Sequence, residues 1–251
     1  QTNTTMSNTA QAVIREAPWS AFLTSRGVWA MFLAHAANNW GLYNNLSWTP
    51  TFYQEQYGLN VKESALLLVV PSIVGGLCGL GSGKVADSLI QQQMIVQQQK
   101  QQDLDSAFDT DGGLDTDTKS IVEYITRVRK IFQGIGLLGP ALCMTLLATH
   151  IPEEPYVAQL LFAIAVGLQS FNAAGYGAAN QEKAGPQYTG LLYSITSLPA
   201  VVVGTTGVYL TGKILDATHQ NWSYVFGLNS IMYAIGGLAF IILYDAQKEF
   251  D

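Results

Sequence analysis

Residues 27–48 read GVWAMFLAHAANNWGLYNNLSW. As a helix at ~1.5 Å per residue, this run is long enough to cross a hydrocarbon core of ~30 Å. It is not uniformly apolar. His35, Asn38, Leu42 and Asn45 fall at i, i+3, i+7 and i+10, one face of a helix, and Asn39 and Tyr43 flank that face. Polar groups at such depth are costly unless they face other protein or a water-filled cavity. The stretch therefore predicts a membrane-crossing helix with one wet side.

Five more apolar stretches follow: Ser64–Val85, Ile131–Thr149, Tyr156–Ala179, Thr189–Leu215 and Ser223–Tyr244. Each is about 20 residues or longer, the length that spans a bilayer. A backbone in lipid must satisfy its own hydrogen bonds, which predicts helices. Among Asp, Glu, Lys, Arg and His, only His35 lies mid-span. The expected fold is an all-α integral membrane protein with six transmembrane helices. Charged residues make up 12% of the chain, about half the ~25% usual in soluble domains. The expected organisation is a polar lead-in over 1–25, two spans within 26–86, a Gln/Asp-rich loop over 87–129, four spans within 130–244 and a tail over 245–251. The opening on Gln1 is expected of a piece of a longer protein.

The basic residues give an orientation. With the N-terminus cytoplasmic, the inner segments hold ten of them, including Arg26, Lys84, Arg129 and Lys183, and the outer loops hold Lys62 and Lys213. The positive-inside rule then places both termini in the cytoplasm. Which membrane this is, the sequence does not say. The acidic charge clusters in 87–129, where Gln91–Gln102 holds eight glutamines and Asp103–Asp117 six aspartates. Such bias predicts disorder or a fraying helix. It does not make a calcium loop, because Gly113 and Ser120 stand at the fifth and twelfth positions counted from Asp109.

A second polar stripe runs through Gln169, Asn172, Tyr176 and Asn180 at i, i+3, i+7 and i+11. In the fifth stretch Tyr193, Ser194, Thr196 and Ser197 crowd around Pro199. Amides and hydroxyls supply the several donors and acceptors that replace a solute's water shell. The same residue types also join membrane helices to one another. Both readings stand on the sequence; two stripes on separate helices favour a shared cavity. His35 is either a proton carrier or a neutral, hydrogen-bonded ring. Gly75, Gly79 and Gly83 form a doubled G-x-x-x-G that predicts close helix packing. No nucleotide-binding loop, zinc-ligand cluster, nucleophile elbow or pair of intramembrane acids is present, so neither an enzyme nor a cofactor or metal site is expected. The expected partners are the lipid bilayer and a small solute, with no nucleic acid.

Particular stretches resemble one transporter family. These are His35 with Asn39-Trp40-Gly41, Trp48-Thr49-Pro50-Thr51, Gly83-Lys84-Val85-Ala86-Asp87, Arg129-Lys130-Ile131, Gly139-Pro140, Pro186 with Tyr188-Thr189-Gly190, and Asp216 with Trp222 and Val225-Phe226. The chain from about Pro18 to Tyr244 resembles the C-terminal half of a major facilitator superfamily transporter. The closer likeness is to the anion/phosphate transporters, which include sodium–phosphate cotransporters, sialin and plant plastid phosphate transporters. The resemblance implies one half of a twelve-helix fold, partnered by an N-terminal six-helix half. It implies a small anionic solute, phosphate foremost, moved by alternating access and driven by H⁺ or Na⁺. It also makes Gly83, Lys84 and Asp87 a cytoplasmic gating motif in which the glycine permits a tight turn. Asn38 stands where vesicular glutamate transporters carry an arginine, which disfavours that branch. The rival expectation is a six-helix membrane assembly module that moves nothing.

Overall fold

The computed structural model is all-helical and describes residues 13–107 and 114–250. A short helix α1, Trp19–Thr24, leads into α2, Arg26–Tyr57. Ser25 caps α2 by accepting from the Val28 amide at 3.3 Å. The helix runs through Pro50 and stops only at Gly58, whose φ of 67° is the left-handed conformation that ends helices. Asn60 and Glu63 form a reciprocal capping box for α3, Val61–Leu67. Next come α4, Val69–Ala107, α5, Leu114–Thr149, and α6, Pro155–Gln169, which starts with proline at its first position. A 3₁₀ turn, Ser170–Ala173, separates α6 from α7, Tyr176–Lys183; α8, Thr189–Ala217, and α9, Trp222–Leu243, complete the chain.

Among the described residues, five segments are long and apolar enough to cross a membrane: Val61–Gln99, Lys119–Thr149, Pro155–Lys183, Thr189–Ala217 and Trp222–Leu243. The first expected span, now α2, has the length but is too polar to join them, because it carries His35 and four asparagines.

Two boundaries differ from expectation. Residues 87–107 continue α4, and 114–129 belong to α5, so the expected loop is two helical arms on either side of 108–113. At 39 residues, α4 is ~58 Å long at ~1.5 Å per residue, well beyond a ~30 Å core. The arms touch where Gln97 donates to the Ser120 hydroxyl at 2.8 Å. Glutamine is a good helix former, and pairing the arms removes the isolation that would otherwise let them fray. The expected tail also folds back. Ala246 and Phe250 are buried, and Phe250 pairs with Ala184 in an isolated parallel bridge.

The core forms where α2 packs between α8 and α9, with α5 against α9 and α6 against α4. Phe52 is wholly buried, and the rings of Phe162, Trp222 and Phe226 surround it at 5.1–5.8 Å. The G-x-x-x-G expectation is met at two of its three positions. A side chain on Gly75 would meet Val166 at 2.9 Å and one on Gly79 would meet Ser170 at 3.5 Å, whereas Gly83 has nothing within 4 Å.

Candidate functional site: a polar recess at a broken helix

Gly175 interrupts the membrane-length segment Pro155–Lys183. Any side chain there would run into Gln133 of α5, and the ψ of −110° takes the chain out of the helical path. The break frees backbone groups that must find partners. Gln133, which has no exposed surface, supplies one, accepting from the Tyr176 amide at 2.8 Å. Its amide nitrogen donates to Asn172 Oδ1 at 2.5 Å. The Asn172 nitrogen in turn faces three acceptors: the Gln169 carbonyl at 2.6 Å, the Gly136 carbonyl at 3.0 Å and Asn38 Oδ1 at 3.1 Å. Gln169 also donates to Asn38, reaching its backbone oxygen at 3.1 Å and its side-chain oxygen at 3.0 Å.

The two sequence stripes therefore meet. Asn38 from α2 and Gln169, Asn172 and Tyr176 from the broken segment border one open recess of about 650 Å³, floored by Gly75, Gly76 and Gly79 of α4. Asn38 Oδ1 is fully used, but its nitrogen reaches only the Tyr176 hydroxyl, at a long 3.5 Å. That nitrogen and the phenolic O–H keep donating capacity toward the recess. Neither Lys nor Arg borders it. His35 lies beside it, 5% exposed, its ring 4.7 Å from that of Tyr176 and 5.6 Å from that of Tyr193. His35 Nδ1 has no hydrogen-bond partner among the described residues.

Other expected site residues fall elsewhere. Asn180 is buried and donates to the Tyr176 carbonyl of its own helix at 3.0 Å. The register assumed for it runs through a continuous helix, and the break at Gly175 turns it inward. Ser194 and Ser197 bond to the Gly190 and Ser194 carbonyls of their own helix. Asn39 and Tyr43 pack against Gly204 of α8. Asn45 lines a separate small crevice with Trp48 and Asn229. Gly83, Lys84 and Asp87 lie within unbroken α4, with Lys84 and Asp87 exposed, so no tight turn forms there. No group of three metal-binding side chains occurs among the described residues.

The sequence reading passed over Gln133, whose signal is being the lone amide in the apolar run that opens at Ile131. It also passed over Asn44, which accepts from Thr211 at 2.5 Å and donates to the Trp40 carbonyl at 2.8 Å. At the far end of α7, Arg129 of α5 grips Glu182 with Nε at 2.8 Å and Nη2 at 2.6 Å, while its Nη1 donates to the Ala174 carbonyl at 2.8 Å. Arg129 thus holds the other side of the break.

Five membrane-length apolar segments among the described residues, two of them bordering the polar recess, make this an integral, multi-pass membrane protein. Over 98% of its length the chain is 30% identical to probable anion transporter 1, chloroplastic, of Oryza sativa subsp. japonica. It is 30% identical over 95% to sodium-dependent phosphate transport protein 1, chloroplastic, of Arabidopsis thaliana, and 31% over 93% to the ascorbate transporter, chloroplastic, of the same plant. No family model matches. The resemblance to anion/phosphate transporters is borne out by these relatives, which are transporters and not enzymes. The chain spans 40%, 40% and 37% of the length of these three relatives.

Proposed function

We propose that this chain is a six-span half of a secondary transporter for a small oxyanion, with α2 as the sixth span and the recess as its share of the solute site. The observation that carries the reading is the convergence of Asn38, Gln169, Asn172 and Tyr176 at a broken helix. Discontinuous helices near mid-membrane are a recurring way to build such sites. A polar helix that cannot stand in lipid alone is suited to lining a pathway. Asn38 and Tyr176 donate to the anion's oxygens, and the balancing positive charge comes from a second half that closes the recess. The two halves rock about the site, giving alternating access, with phosphate the foremost solute and H⁺ or Na⁺ the driving ion. His35, beside the recess, is placed to carry a coupling proton. The bias of basic residues supports a reading with both ends of this chain on the cytoplasmic side.

The mutual bonds of Asn38, Gln169 and Asn172 also support the rival reading, in which these residues only join helices. One experiment separates the two. In full-length protein in liposomes, labelled phosphate and ascorbate uptake is measured with pH and sodium gradients varied separately, alongside melting temperature. Asn38→Ala and Tyr176→Phe are expected to weaken apparent affinity about two- to tenfold, the equivalent of one neutral hydrogen bond at ~0.5–1.5 kcal/mol. Unchanged KM with lost thermal stability in both variants refutes the site.

A further inference from the structure

The C-terminal segment and the recess grip opposite ends of one short helix. α7 is 8 residues, ~12 Å at ~1.5 Å per residue. Its first residue, Tyr176, borders the recess. Its last, Lys183, has no exposed surface. The Lys183 stem runs against α2, where a side chain on Gly27 would collide with it. Its ammonium pairs with Asp245 at 2.7 Å and also with Glu249. The main chain repeats the grip. The amides of Glu249 and Phe250 both donate to the Lys183 carbonyl, at 3.0 and 3.2 Å, and Gly185 donates to the Phe250 carbonyl at 2.7 Å.

The segment is anchored on three sides. The Ala246 amide donates to Thr126 of α5 at 2.8 Å, and the Tyr244 hydroxyl donates to Glu182 at 2.9 Å. The Phe250 ring meets Phe22 of α1 edge-on, centroids 4.6 Å apart. Such an investment is out of proportion for a tail. Unpaired, Lys183 would be a buried charge, which is strongly unfavourable. The helix end therefore stays where it is only while the acids of the segment stay with it.

We propose that residues 244–250 are a latch that fixes α7, and that releasing it shifts Tyr176 and changes anion binding at the recess; the second clause rests on the proposed function. The mechanical link is the helix itself, rigid over its length. A parallel link runs from Tyr244 through Glu182 and Arg129 to the Ala174 carbonyl at the break. The device is two-state: the segment lies in its groove with Lys183 neutralised, or it leaves and the end of α7 is drawn toward water.

The test uses full-length protein. Two variants open the latch by different means: Asp245→Asn with Glu249→Gln removes the charge pairing, and Phe250→Ala removes the anchor on α1. Hydrogen–deuterium exchange is followed in 176–184, with 200–212 of α8 as the internal reference, and phosphate affinity is measured on the same samples. Both variants are expected to raise exchange in 176–184 at least tenfold over the reference and to change phosphate affinity at least threefold. Unchanged exchange in 176–184 in both variants overturns the latch. Raised exchange with unchanged affinity overturns its coupling to the recess. If the parent protein binds no phosphate, the proposed solute fails while the exchange measurement still decides the latch. A variant that unfolds would raise exchange in 200–212 as well; Glu249→Gln alone, the milder change, then carries the comparison.

Discussion

Replacing Gln133 by alanine tests whether the break in the segment Pro155–Lys183 is held from α5. Gln133 has no exposed surface, accepts from the Tyr176 amide at 2.8 Å and donates to Asn172 Oδ1 at 2.5 Å. Alanine leaves both groups without partners. A buried group orphaned in this way costs about 1–3 kcal/mol, so the pair costs about 2–6 kcal/mol. Hydrogen bonds between membrane helices average only ~0.6 kcal/mol in double-mutant cycles, because partners are found in the unfolded state too. The lower end, about 2 kcal/mol, is therefore the working figure. In a domain of this size that lowers the melting temperature by at least about 4 °C. Glutamate at the same position keeps an acceptor for the Tyr176 amide but brings a second acceptor to Asn172 Oδ1. Asn172 cannot turn its amide around without giving up three carbonyl partners. Gln133→Glu is accordingly expected to be at least as destabilising as Gln133→Ala. Thermal unfolding of the detergent-solubilised full-length protein measures both. Melting within about 1 °C of the parent for Gln133→Ala, well inside that expected shift, refutes the claim that this side chain holds the break.

Three further outcomes are expected. Arg129→Met leaves Glu182 without its cationic partner and the Ala174 carbonyl without a donor, an expected loss of about 3–5 kcal/mol that Arg129→Met with Glu182→Gln partly restores; equal losses in the single and double variants would show that the pair is not coupled. Gly75→Leu is expected to cost about 1–3 kcal/mol by forcing α4 from α6, whereas Gly83→Ala, mid-helix with open space around it, leaves the melting temperature unchanged or raises it, and the reverse order would show that the glycine contacts are misassigned. Replacing residues 99–118 by a short Gly/Ser turn is expected to leave melting within about 2 °C of the parent, because Gln97 and Ser120 already meet at 2.8 Å and the cut closes across them; a larger fall would make the arms structural.

What was legible in the sequence was periodicity. Asn38, Gln169, Asn172 and Tyr176 could be placed together because helical spacing is strict and polar groups in apolar runs are few. Asn180 was misplaced because that spacing presumes one unbroken helix, and the break at Gly175 rests on a contact with Gln133 that lies 42 residues away in the chain and in no local pattern. Composition left the Gln/Asp-rich stretch between disorder and a fraying helix, since polarity says how little a segment can bury and nothing about a neighbouring arm that pairs with it. Ser194 and Ser197 lie outside the recess, and a hydroxyl in a helix can satisfy itself on its own backbone, four or three residues back.

The polarity of α2 also has a consequence in time. Trp40 donates to Asn229 at 2.8 Å across 189 positions of sequence, and Asn44 meets Thr211 across 167. At ~5–20 residues per second, about 10–40 s of translation separate Trp40 from its partner. Throughout that interval α2 has left the ribosome with amides and an imidazole that lipid cannot satisfy. On the proposed reading of α2 as a sixth span, its residence in the bilayer is settled late, when α8 and α9 emerge and pack against it. Of these three helices, the one made earliest is the last to find its partners.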